Sequence, residues 1–488
     1  MQLSKRAWLS LALFVLSGIF VFSFFHKRFN GDEAIIGEFA YWLDKIGYVK
    51  AEMFDGMGMG WEKRMYHYHK FFTLVGSWII HWFGVSLFAL RSISLLFFLL
   101  FLVFLNRYFQ KRKEVFDAND FLICVIVLLL NSTFFDFAFV YRPETMIMSL
   151  GFISFYLLQK GVNEQKNAWL FVSAALAGLC AFTHLNGLIF IFAGGVTLLF
   201  ERKVLLAFAY GLVGGLFALL YFYDLRTEAE FQAFLHQFTN DPNLGQQHFH
   251  LYTPLLKILN DHMRFFRSPK EIGFSVLFLL SLLFYFRSIR AKHLMLLIYT
   301  LALIIGLAGI SHGPTPYYAI LYFPYLAILI TIAIRQLNSS PKVPRTVLVV
   351  ALVLYGLTNA YYISRLIVHS VDIVQESEAI SHSLPKKNVK VIAGEFFFFN
   401  QIQNYHICIP LTYEILCNRY RSRSFGAEDF FRFARENGNE YVILSKAFTS
   451  QPILEMVDFD HLQPQQSMFG YSVLKKDDKH AIFQKNAP

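Results

Sequence analysis

Uncharged runs of about 20 residues recur along this chain, and each is long enough to cross the hydrocarbon core of a bilayer. Reading apolar runs bounded by charge or by Pro, Gly or Asn predicts eleven spans: 7–25, 86–106, 119–140, 143–159, 167–183, 185–200, 203–223, 271–286, 293–311, 317–334 and 346–366. Composition agrees, because 56% of the 488 residues are apolar, 16% are charged and 56 are Phe, more apolar surface than one soluble core would hide. That argues against a soluble enzyme. The first run follows Lys5 and Arg6 but ends in Ser-Phe-Phe-His-Lys with no A-x-A cleavage site, so it reads as an uncleaved signal anchor.

Basic residues assign the sides. Lys5/Arg6, Arg107 with Lys111, Arg112 and Lys113, Lys160/Lys166, Arg202/Lys203, Arg287/Arg290/Lys292 and Arg335/Lys342/Arg345 fall in alternate connections. The positive-inside rule makes those connections cytoplasmic. The amino terminus is then cytoplasmic in a plasma (inner) membrane, and the outer side receives loops 26–85 and 224–270, residues 311–316 and everything after 366. The formal charge of +10 is explained by these clusters, so no nucleic-acid partner is expected.

Two domains are expected: a membrane bundle over 1–369 and a small extracytoplasmic α/β domain over 370–488. In the latter, 389–393, 441–444 and 481–484 read as strands and Ala427–Glu436 as a helix. The fold class is therefore an all-α polytopic membrane protein with a small C-terminal α/β domain. Within the first outer loop, 34–46 and 71–84 carry apolar residues at helical spacing and read as helices lying along the interface. The loop 224–270, with His236, His248, His250 and His262, reads as a lid. Cys124 and Cys180 lie within apolar runs and read as small buried side chains, whereas Cys408 and Cys417 fall in the polar C-terminal part, where an extracytoplasmic position would permit a pairing that spacing does not establish.

The sharpest chemical feature is Gly31-Asp32-Glu33, adjacent carboxylates just beyond the first span. Such a pair favours the positive end of a following helix dipole; as chemistry, one carboxylate acts as general base toward a hydroxyl at the membrane face. Tyr141-Arg142-Pro143-Glu144 brings a second acid to the same face from another span, with Asp136 nearby. Helix capping alone explains Glu144, but ionisable groups at this depth are default site candidates. His184 in Thr-His-Leu-Asn-Gly and Tyr317-Tyr318 after Gly-Pro-Thr-Pro mark two further outer turns. An imidazole, phenols and cations gathered there would bind a lipid-carried phosphate, the candidate cations being Lys63, Arg64, Lys70, Arg142, Arg264 and Arg267. His67 and His69, with Asp55 and Glu62 upstream, have i, i+2 spacing and no fixed third ligand, so no metal site and no cofactor are expected. Motifs for nucleotide binding and zincin proteolysis are absent.

These residues resemble the membrane-embedded GT-C type glycosyltransferases, in particular the branch of protein O-mannosyltransferases and lipid A aminoarabinose transferases. The resemblance covers roughly residues 7–366 and rests on Asp32-Glu33, residues 83–91, Arg142-Pro143-Glu144, Thr183–Gly187 and the Tyr/Pro-rich run 316–324. It implies a sugar taken from a polyprenyl phosphate and transferred with inversion, on the outer side, to a lipid, glycan or protein acceptor. By that likeness Asp32, with Glu33 beside it, is the first-loop acid and Glu144 the second. The same likeness makes Tyr317 or Tyr318 the donor-phosphate contact, and the residues themselves add Arg142, His184, Lys63 and Arg64 as candidates to bind that phosphate. Because the second acid of such proteins is often Asp, Glu144 departs from the pattern. An alternative class, a non-catalytic lipid or polysaccharide translocase, should place polar groups through the middle of several spans, whereas here they gather at one face.

Overall fold

The computed structural model describes residues 4–241, 253–311, 313–419 and 423–487. His248, His250 and His312 lie outside the described residues. The chain is mostly helical with one small sheet near its end. In order, the bundle contains α1 (Lys5–Phe25), α2 (Gly31–Ile46), α3 (Lys70–Phe83), α4 (Leu87–Gln110), α5 (Ala118–Leu130), α6 (Ser132–Phe137), α7 (Pro143–Glu164), α8 (Asn167–Thr183), α9 (Leu188–Phe200) and α10 (Val204–Ala218). These are followed by α11 (Glu228–Thr239), α12 (Thr253–Asn260), α13 (His262–Phe266), α14 (Pro269–Ile310), α15 (Phe323–Gln336) and α16 (Lys342–Val368).

Among the described residues six helical stretches are long and apolar enough to cross a membrane, with Ala118–Leu130, Asn167–Thr183 and Leu185–Phe200 as shorter apolar helices. Together with the fold, these make the chain a multi-pass membrane protein. The expected span 119–140 is not continuous. Helix α5 stops at Asn131, whose side chain instead accepts from the Phe134 N–H at 2.8 Å and starts the one-turn α6; an Asn offers the backbone a cap that competes with helix continuation. Likewise 317–334 divides into a 3₁₀ turn, Pro316–Leu321, and α15.

Helix α14 has 42 residues, which unbent would reach about 63 Å. Non-helical dihedrals at His293 (φ −135°, ψ 28°) break it, and its limbs fold back on each other. Ser275 donates to the Phe265 carbonyl at 2.9 Å while Arg264 donates to Ser311 Oγ at 2.7 Å, so neighbouring residues 264 and 265 touch both limbs. The opposite end carries the reversal: Tyr285 meets Ser340 at 2.6 Å, Gln336 donates to Ser288 at 3.0 Å, and His293 meets Arg112 at 3.5 Å. The limbs coincide with the expected spans 271–286 and 293–311. This end holds several of the basic connections; the other end holds the carboxylates.

Helix α7 is buried along nearly its whole length, packed by α4 and α8, so its first turn opens into the bundle rather than into solvent. The apolar stripes at 34–46 and 71–84 are helices, α2 and α3. Helix α3 turns Trp78, Trp82 and Phe83 outward while Phe72, Gly76 and Ile80 face the core, the division expected of an interfacial helix.

After Ser370 the strands β1 (Lys390–Ile392), β2 (His406–Cys408), β3 (Tyr441–Ser445), β4 (Ser467–Met468), β5 (Tyr471–Lys476) and β6 (His480–Lys485) form one sheet in the order β2-β1-β3-β6-β5-β4. β1 runs parallel to β2 and β3, and the remaining pairs are antiparallel. The expected strands match β1, β3 and β6, and the helix Ala427–Glu436 forms with the expected bounds. Strands β2, β4 and β5 stand outside the expected set, and β4, with two residues, is too short for alternation to show.

The sheet part is built onto the first loop. Ile409 N–H and Thr412 Oγ1 both donate to the Met53 carbonyl, at 3.0 and 2.9 Å, and Lys390 reaches Asp55 at 2.5 Å. Cys408 and Cys417 are buried free thiols, not a disulfide. Cys408 donates to the Asp55 carbonyl and Cys417 to that of Ser424, so each thiol points to a different backbone group.

Candidate active site

Asn30 starts α2 by a capping box. Its side chain accepts from the Asp32 N–H at 3.1 Å, and its own N–H donates to Glu33 at 3.3 Å. The cap turns the two adjacent acids in different directions. Glu33 is fully buried, holding Arg91 of α4 through two bonds of 2.7 Å and accepting from the Tyr141 N–H at 3.0 Å. Asp32 has a side chain 46% exposed and meets Arg142. Of the pair, Asp32 faces the open side and Glu33 is consumed by the scaffold.

Arg142 caps α7, where Pro143 occupies the first turn and needs no N–H partner. Its buried guanidinium forks onto Glu144 at 2.8 and 3.2 Å, reaches Asp32 with Nη1, and lies over the Tyr317 ring at 4.2 Å. One planar cation thus ties together α2, α7 and the turn before α15. Tyr317 packs against Tyr318 at 4.8 Å, Tyr318 against His184 at 5.7 Å, and His184 against His69 at 4.9 Å. His184 Nδ1 accepts from the Asn186 N–H at 3.0 Å, which places its proton on Nε2. This turn requires Gly187, since a Cβ there would lie 2.1 Å from the Cys180 carbonyl carbon. Burial pulls the His69 imidazole down to about 4, against the raising influence of Glu144, so His69 is neutral near pH 7.

Asp32, Glu144, Arg142, His184, Tyr317 and Tyr318 therefore share one end of the bundle. Lys63 and Arg64 do not join them. Arg64 pairs with Glu230 at 3.1 Å and stacks over Tyr66, and Lys63 is exposed. Lys70 is held by both oxygens of Asp224 at 2.6 and 2.7 Å, and Arg264 by Asp261, Ser311 and the carbonyls of Gly313 and Thr315. Arg267 is exposed. Of the residues weighed as metal ligands, Asp55 pairs with Lys390 and His67 with Asp241. No three His, Cys, Asp or Glu among the described residues are placed to hold a metal ion.

Sequence reasoning gave no role to three buried charges around this end. Arg91 fixes Glu33, Lys27 holds Asp136 at 2.5 Å, and Glu38 sits beneath the 52–53 turn. Glu38 had a readable signal, a carboxylate on the apolar face of an otherwise amphipathic helix. Glu395 is a further acid near the pair: its side chain would be 3.3 Å from a Cβ on Gly31, and burial raises its carboxyl, with the Glu414 charge adding to the shift.

No family model matches the chain, and no curated protein sequence matches it. Solved structures do. ArnT from Cupriavidus metallidurans in the apo state superposes with a TM-score of 0.61 at 13% identity, covering 99% of both chains. The same protein bound to undecaprenyl phosphate gives 0.62 at 13% identity, covering 99% of this chain and 100% of that one. The Archaeoglobus fulgidus oligosaccharyltransferase tethered to an acceptor peptide gives 0.51 at 12% identity, over 90% of this chain and 69% of the other. Identities this low bear on architecture alone, and on that ground the chain has the fold of the GT-C type membrane glycosyltransferases.

Proposed function

We propose that this protein is an integral membrane glycosyltransferase that moves a sugar from a polyprenyl-phosphate donor to a lipid, glycan or protein acceptor. The observation that carries this reading is Arg142, which holds the half-exposed Asp32 and the buried Glu144 at one end of the bundle. The ArnT structure with undecaprenyl phosphate supports the donor class. In the proposed topology eleven spans leave the amino terminus cytoplasmic and the site and C-terminal part extracytoplasmic, in the inner membrane. A flipped lipid-linked sugar then reaches the site by lateral diffusion.

In the proposed reaction an acceptor hydroxyl attacks the anomeric carbon as its proton passes to Asp32. The carbon–oxygen bond to the phosphate breaks, polyprenyl phosphate leaves, and the anomeric centre inverts. Where the acceptor is a phosphate, already ionised, Asp32 orients it. Arg142 holds and aims Asp32, and Glu144 balances the charge of that cation. Glu33 acts through the fold, as a positioning residue. Tyr317, Tyr318 and His184 line the side where the leaving phosphate would rest, with Lys63 and Arg267 as exposed cations able to move onto it and Arg64 able to exchange Glu230 for it. No cofactor enters this scheme.

The test is transfer from a radiolabelled polyprenyl-phosphate sugar by the purified, reconstituted protein, with envelope glycolipids and glycoproteins compared by mass spectrometry in cells with and without it. Asp32→Asn should lower the rate about 10²–10⁴-fold with insertion and melting temperature unchanged. A fully active Asp32→Asn protein removes the central assignment.

A further inference from the structure

A concavity of about 640 Å³ opens where the C-terminal part meets the membrane bundle, within the ~300–1,000 Å³ of small-molecule sites. Its wall is amide-rich: Asn400, Gln401 and Asn404 come from one short stretch, and Glu378 faces them. Asn404 donates to Gln401 Oε1 at 3.0 Å and Asn400 approaches Glu378 at 3.5 Å, which orders these groups while leaving each amide further hydrogen-bonding capacity. Val85 supplies an apolar patch in the same wall, and Phe399 lies buried behind it. One acid, Glu378, faces one lysine, Lys387, and one histidine, His382, so the pocket is polar without a cluster of fixed like charges.

Planar amides and a carboxylate match the vicinal hydroxyls of a saccharide, which both donate and accept, and partly exposed Val85 offers an apolar contact to its C–H faces. The pocket's position links it to the acid pair. Phe399 packs edge-on against Phe29 at 5.9 Å, one residue before the Asn30 cap of α2, and a Cβ on Gly37 would lie 2.9 Å from Phe398. Val85 directly precedes Ser86, the cap of the helix that carries Arg91. We infer that this pocket binds sugar units of the acceptor, so that the acceptor is a glycan-bearing molecule. Its role as acceptor subsite rests on the transferase reading above; its capacity to bind sugar does not.

The test uses the full-length protein in nanodiscs and saturation-transfer NMR with glucose, galactose, mannose, N-acetylglucosamine, maltose and chitobiose, alongside inorganic phosphate and glycerol phosphate. At least one sugar should receive saturation, and Asn404→Leu and Asn400→Ala should each weaken its binding by about ten-fold, the loss of one or two neutral hydrogen bonds, with melting temperature unchanged. Asp32→Asn should retain the signal. No signal from any of the six sugars, equal signals in the wild type and both variants, or signals from the phosphate probes alone would overturn the inference. Sugar binding that depends on Asn404, in a protein whose Asp32→Asn form transfers normally, would keep the pocket and discard the transfer chemistry.

Discussion

Arg91 meets Glu33 fork to fork, two bonds of 2.7 Å joining residues 58 positions apart, where α2 crosses the start of α4. Both side chains are buried. Removing one partner strands the other charge, at roughly 3–5 kcal/mol, whereas replacing both by apolar groups is far milder. Arg91→Met and Glu33→Leu alone should therefore lower the melting temperature sharply, and the double variant should recover most of the loss. Additive losses in thermal scans would show that the pair is not coupled.

The guanidinium of Arg142 serves two carboxylates and a ring face together, which the single ammonium of a lysine cannot reproduce. Arg142→Lys should keep one carboxylate contact and lose the other. A catalytic group displaced by about 1 Å costs on the order of 10²-fold in rate, so kcat/KM for a polyprenyl-phosphate sugar should fall by that order. A rate within two- to three-fold of wild type, about 0.5 kcal/mol, would mean that Asp32 is not set by Arg142.

The division between what the chain revealed and what it concealed follows the range of the interactions. Periodicity over a dozen residues placed α2, α3 and Ala427–Glu436, because each helix buries one stripe. It overran at 119–140, since apolarity says nothing about the Asn131 side chain taking over the backbone. Asp32, Arg142 and Glu144 were legible as charges beside apolar runs, yet their sharing of one guanidinium depends on α2 meeting α7, which no local pattern encodes. The distinction between Asp32 and Glu33 was likewise hidden, because it is made by Arg91 and Tyr141, far along the chain. Lys63 and Arg64 looked equivalent to Arg142 by composition; the approach of Glu230 to Arg64 and the exposure of Lys63 separate them.

Glu38 accepts from Trp42 Nε1, Glu52 N–H and Met53 N–H at 3.2, 2.7 and 3.2 Å, all through Oε1. Burial pushes its carboxyl up to about 8, and the Glu52 charge adds to the rise. The folded state then holds this proton more tightly than the unfolded chain, whose value is 4.5. Its contribution to stability is whole below pH 4.5 and is lost as the pH climbs toward 8. A Gln can keep the Oε1 contacts without the charge, so Glu38→Gln should flatten the fall in melting temperature across that window. Parallel pH profiles for variant and wild type would contradict the assignment.

Gly76 of α3 lies against Tyr141, the residue whose N–H binds Glu33 and whose neighbour is Arg142. A Cβ there would stand 1.9 Å from the Tyr141 hydroxyl and 3.0 Å from the Ala40 Cβ. That hydroxyl is buried without a hydrogen-bond partner, and the ring is stacked on Phe72 at 4.6 Å, so it has little room to yield. Gly76→Ala should cost about 1–3 kcal/mol as overpacking and should also slow transfer, because the displaced Tyr141 drags the Arg142 cap. Tyr141→Phe removes the oxygen that clashes and leaves no donor unsatisfied, so by itself it should be near neutral. Combined with Gly76→Ala it should restore much of the stability and rate. A double-mutant cycle on melting temperature and kcat reads this coupling directly, and an interaction energy near zero would separate the α3 contact from the site.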